Sequence, residues 1–86
     1  MTEAEKQSVR AAILEQVRSR GRGKTSCPSE VARQLDADDW RAWMQPVREV
    51  AAELHTSGEV VVTQKGETVD PVQAKGPIRL GLPEKA

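Results

Sequence analysis

A winged helix, an α+β domain of three helices and a small antiparallel β-sheet, is the fold predicted by the order of segments in this chain. Two amphipathic stretches, CPSEVARQL and WRAWMQPVREVAAELHTSG, come after a charged N-terminal helix. They run directly into an apolar strand and turn, EVVVTQKGETV, and then a second strand, GPIRLGL. Three helices closed by a β-hairpin within 86 residues match a layout whose third helix is shaped for a DNA major groove. Fold alone does not determine function, so a DNA reading has to rest on particular side chains.

The first helix is predicted over residues 3 to 20. Thr2 and Glu5 fit a capping box, and Val9, Ile13 and Val17 recur at four-residue spacing with Leu14 beside them. Gly21 and Gly23 stop it. Arg18 and Arg20 complement the dipole at its C-terminal end, whereas Arg22 and Lys24 lie beyond the helix and are free for other work. Thr25 to Cys27 fits a very short first strand.

Pro28 at the first helical position, with Cys27 as cap and Glu30 three residues later, starts the second helix. Val31, Ala32 and Leu35 form its buried face. Asp36 to Asp39 make the turn, with Asp39 expected to cap the third helix. That helix, over about 39 to 57, presents Met44, Val47, Val50, Ala51 and Leu54 to the core, and Gly58 ends it. Arg41, Gln45, Arg48 and Ala52 fall on the opposite face. Pro46 either bends this helix or opens its main segment after a separate turn over Asp39 to Met44.

Val60 to Gln64 is rich in β-formers, Lys65 and Gly66 suit a two-residue turn, and Glu67 to Val69 can pair back. Asp70, Pro71 and Gly76 frame a single helical turn over Val72 to Lys75. Ile78, Leu80 and Leu82 alternate with Arg79 and Gly81 in a final strand, so that residues 65 to 77 form the wing with Lys65 and Lys75 on it.

The runs PSEVARQL, DDWRAWMQPVREVAAEL, GEVVVTQKG and VDPVQAKGPIRL resemble a small bacterial family of uncharacterised domains with a winged-helix fold, over about residues 8 to 82. The resemblance implies the fold and brings no binding residues with it. Cys27 stands where a serine is the commoner cap in that family.

Length and composition bound the remaining choices. The chain reads as one domain over 1–86, with its core over about 3 to 82 and a loose tail at 83 to 86. A domain of this size buries roughly 60 to 65% of its unfolded surface and has no room for an enclosed cofactor pocket. Two Trp and no Phe or Tyr leave an aliphatic core. Thirteen basic and thirteen acidic side chains cancel, so DNA affinity has to come from local clustering. One Cys forms no internal disulfide, and the longest uncharged run is Ala42 to Val47, so a soluble cytoplasmic protein with no membrane span is expected.

No catalytic constellation is visible, and an enzyme, a cofactor and a metal are not expected. His55 is expected to be solvated at the end of the third helix, Cys27 to be an inert cap, and Trp40 and Trp43 to pack the start of that helix. Two functions are weighed. In the first, Arg41, Gln45 and Arg48 meet base edges or phosphates of DNA, and Lys65, Arg22 and Lys24 clamp the backbone, as in a transcriptional regulator. In the alternative, the scaffold docks a protein partner, which zero net charge and the acidic 36–39 turn favour. Neither the DNA sequence nor the oligomeric state is fixed by these residues.

Overall fold

The structure, a computed structural model, describes residues 1–83; of the expected tail, residues 84–86 lie outside the described residues. In chain order the elements are α1 (Glu3–Arg20), β1 (Thr25–Ser26), α2 (Pro28–Leu35), a 3₁₀ helix (Trp40–Trp43), α3 (Met44–Ser57), β2 (Val61–Gln64), β3 (Glu67–Thr68) and β4 (Arg79–Gly81). The strands form one antiparallel sheet in the order β1-β4-β2-β3, packed on the three helices in a winged-helix-like arrangement. No helix among the described residues is long and apolar enough to cross a membrane.

The helix ends obey local chemistry. Glu5 Oε1 accepts from Thr2 N at 2.8 Å while Thr2 Oγ1 accepts from Glu5 N at 3.1 Å, closing the capping box of α1. Glu30 Oε1 likewise accepts from Cys27 N at 2.9 Å at the start of α2, and its other oxygen pairs with Arg20. The turn between α2 and α3 departs from expectation. Asp36, not Asp39, caps it: Asp36 Oδ1 accepts from the backbone of both Asp38 (3.1 Å) and Asp39 (3.0 Å), whereas the Asp39 side chain makes no capping bond. Asp36, the residue that ends α2, stands two and three positions before those amides, which is the spacing of an Asx turn. Pro46 falls in the first turn of α3, where its missing N–H removes no helical hydrogen bond. The 3₁₀ helix is therefore the separate turn that precedes it.

The core is aliphatic. Val9, Ile13 and Val17 of α1, Val31 and Ala32 of α2, Val47, Val50, Ala51 and Leu54 of α3, and Val60, Val62, Ile78 and Leu80 of the sheet are all buried. Leu35 is only partly buried against them. At the end of α3 Gly58 turns left-handed (φ 84°, ψ 10°), and the Leu54 carbonyl accepts from Glu59 N at 2.9 Å, sending the chain straight into β2. Lys65 (φ 53°) and Gly66 (φ 84°) form the two-residue hairpin turn, a conformation that Gly accepts at no steric cost.

The wing's return segment is tied down by two side chains. In place of the expected helical turn over Val72 to Lys75 the chain makes a hydrogen-bonded turn at Pro71–Gln73, where Asp70 Oδ1 accepts from Val72 N at 2.9 Å and the Asp70 carbonyl accepts from Ala74 N at 2.8 Å. The next four carbonyls are taken alternately. Arg48 donates to those of Ala74 (2.8 Å) and Gly76 (3.4 Å), and Gln64 Nε2 donates to those of Lys75 and Pro77. One residue of α3 and one of β2 thus fix residues 74–77, which have no strand partner of their own.

Leu54→Ala should cost about 2 to 5 kcal/mol in chemical denaturation, since Leu54 is fully buried and the helix cannot collapse around the void; a loss under about 1 kcal/mol would contradict this packing. Arg48→Ala should cost about 1 to 3 kcal/mol and speed hydrogen exchange across 70–78, whereas Arg48→Lys, which reaches one carbonyl at a time, should restore part of the protection. Hydrogen bonds from Thr2 N to Glu5, from Cys27 N to Glu30 and from the Ser57 hydroxyl to Glu59 hold these carboxyls below the ordinary carboxylate range. A depressed carboxyl stabilises the fold above its unfolded value and loses that contribution as pH falls through its folded value. Glu30→Gln should therefore flatten the acid limb of the stability–pH curve and leave the alkaline limb unchanged.

Candidate nucleic-acid interface

The side chains expected to read DNA do not form one patch. Arg41 is exposed on the 3₁₀ helix, its guanidinium 4.5 Å from the Trp40 ring centroid, and Arg33 of α2 lies over the same ring at 4.3 Å. Trp40 thereby orders two cations. Gln45 is exposed and donates to Glu49 Oε2 at 3.2 Å one turn on. Arg48, expected on the free outward face, is instead half-buried and spent on the wing carbonyls. The reason is geometric: its position on α3 faces the returning segment 74–77, whose carbonyls lack strand partners. Glu49 and Glu53 are also exposed along α3, and Glu53 pairs with Lys6 at 2.9 Å. The outward side of α3 is accordingly mixed in charge.

Lys65, Arg22 and Lys24 are all exposed, in two different turns. Sheet pairing draws these turns together. β1 lies beside β4, and Gly23 and Lys24 border the same open groove as Gly66 and Thr68 of the β2–β3 hairpin. Arg79, which strand alternation places outside the core, reaches across to β1 and donates to Thr25 Oγ1 at 2.8 Å and to the Thr25 carbonyl at 3.1 Å.

Charge is distributed accordingly. Residues 21–26 and 60–83 carry Arg22, Lys24, Lys65, Lys75 and Arg79 against only Glu67 and Asp70, whereas the other described residues carry seven basic and ten acidic side chains. Zero net charge conceals a basic sheet and wing on an acidic set of helices. The ion pairs Lys6–Glu53, Arg10–Glu59 and Arg20–Glu30 all involve α1 and are partly exposed, so each contributes little to stability.

Trp40 and Trp43 are partly buried against the core, as expected. Cys27 is half-buried, with Sγ 3.0 Å from Ser29 Oγ. His55 differs from expectation: it is half-buried, and its Nδ1 is shielded from solvent with no hydrogen-bond partner among the described residues. Its place on α3, one residue after the fully buried Leu54, turns one ring edge inward. Arg33, Gln64, Thr25 and Arg79 are contributors that the sequence does not single out. Only Arg79 leaves a signal there, as the cation alternating with Ile78 and Leu80.

A search among curated proteins finds no match. The family described as protein of unknown function DUF3253 matches residues 6–83, nearly the whole of the described chain. The chain belongs to the DUF3253 family.

Proposed function

We propose that this domain is a DNA-binding winged-helix module of a transcriptional regulator, acting in the cytoplasm. The observation that carries the reading is the charge separation between sheet and helices. A polyanion is attracted to the sheet and wing, whose segments carry five cations against two acids, and is repelled by the more acidic helices, so it approaches from the sheet and wing side. Arg41 and Gln45, near the N-terminal end of α3, are the exposed groups with the chemistry to read base edges: a guanidinium suits guanine, and a side-chain amide suits adenine. Arg48 supports the complex by holding the wing.

A protein partner is the second reading, and one observation favours it. Trp40 flanked by Arg33 and Arg41, with Asp36, Asp38 and Asp39 beside them, has the Trp-and-Arg composition of an interaction hot spot.

Titrating a fluorescent duplex selected from a random pool, at a series of salt concentrations, tests the DNA reading. About three to four phosphate contacts should give a log–log slope near −3 to −4. Replacing Arg41 and Gln45 together by Ala should remove about 1 to 3 kcal/mol of preference for the selected sequence while leaving thermal stability unchanged. A parent protein without salt-dependent binding would overturn the reading.

A further inference from the structure

The sheet has a second face. Val60, Val62, Ile78 and Leu80 point into the core, so by strand alternation their neighbours lie on the opposite side. The register sets those neighbours in two cross-strand rows, Thr25 with Gly81 and Val61, and Arg79 with Thr63 and Thr68. Neither row contains a carboxylate; the groove bordered by Lys24 has none in its lining, and the adjoining groove that Arg79 lines has one, Glu67, beside Lys65 and Lys75. At ~4.8 Å per strand the four strands span roughly 14 Å.

The groups on this face suit phosphate oxygens. Thr25 Oγ1 accepts from Arg79 Nε, which leaves its own proton to donate outward, and the hydroxyls of Thr63 and Thr68 have no partner among the described residues. Arg79 is held in place by two bonds to Thr25 and keeps Nη1 unengaged, a charged donor fixed in advance of binding. Gly81 keeps the floor low. A Cβ there would meet Thr25 Cγ2 at 3.3 Å and the Lys24 carbonyl at 3.4 Å. The face carries no aromatic side chain, so it offers nothing for an unpaired base to stack on.

From this we infer that the open face of the sheet is a sequence-independent cradle for the phosphate backbone of a nucleic-acid duplex. Lys24 and Arg79 supply the charge, and Thr25, Thr63 and Thr68 supply neutral donors. The inference rests on the DNA reading above and moves the main contact from α3 to the sheet. Backbone contacts of this kind fix affinity and orientation, and base contacts from Arg41 and Gln45 add preference.

Binding of a fluorescent duplex is compared for the parent chain, a Lys24→Glu/Thr68→Glu variant and an Arg41→Ala/Gln45→Ala variant. Lys24 and Thr68 are both exposed, and thermal melting checks that the fold is kept; Lys24→Gln is the milder second variant. The charge-reversed variant should lose about tenfold or more in affinity, equally for selected and unrelated duplexes, and Lys24→Gln should lose a smaller share. Charge-reversed and Lys24→Gln proteins that bind within about twofold of the parent, while Arg41→Ala/Gln45→Ala abolishes binding, would overturn the cradle and leave the DNA reading standing. A parent that binds no duplex would overturn both.

Discussion

Pairing along β4 is the constraint on which the remainder of the domain depends, because among the described strands it is the one that joins β1 to the β2–β3 hairpin. Its three residues pair with Thr25 and Ser26 on one side and with Val61, Val62 and Thr63 on the other. Leu80 on β4 and Ile78 just before it are fully buried, so the pairing is locked by side chains as well as by backbone hydrogen bonds. Ser26 is the one buried polar residue in the described core, and its hydroxyl donates to Gln16 Oε1 at 2.9 Å, which anchors β1 to α1. A short strand suffices because each of its two faces has a separate task, one closing the core and one facing water.

The same pairing determines where charge accumulates. Without β1 beside β4, Arg22 and Lys24 would be an isolated basic turn after a helix. With it, the Lys24 end of that turn borders the groove over the β2–β3 hairpin, and Arg79 reaches Thr25 across the sheet. Arg48 and Gln64 complete the assembly by holding residues 74–77, which would otherwise form a loose loop between two halves of the wing. Rigid positioning matters for a basic surface, since like charges brought together in advance lower the cost of ordering them in any later contact.

Much of this is legible in the sequence where local rules decide. Thr2 with Glu5, Pro28 with Glu30, and Gly58 each mark a helix end that depends on neighbours within a few residues, and the 3.6-residue stripe from Val47 to Leu54 marks the buried side of α3. Lys65-Gly66 marks a hairpin for the same local reason. The illegible parts depend on contacts between distant segments. Arg48 has the spacing of a reading residue, and only the returning wing, 26 residues on, converts it into a clamp. Asp39 has the right side chain for a cap, but Asp36 reaches the free amides of the turn from a better position. The basic face requires knowledge that β4 pairs with β1, which no periodicity in a two-residue strand reveals.

The proposed main contact with DNA lies on the sheet and wing, not on the outward side of α3. Its most direct test is a chemical-shift map of the isotopically labelled domain titrated with a short duplex at low salt. The largest shifts should fall on backbone amides of Lys24, Thr25, Thr63, Lys65, Thr68 and Arg79, with smaller ones at Arg41 and Gln45. Shifts confined to Trp40, Arg41 and Gln45, or none at any residue, would contradict it.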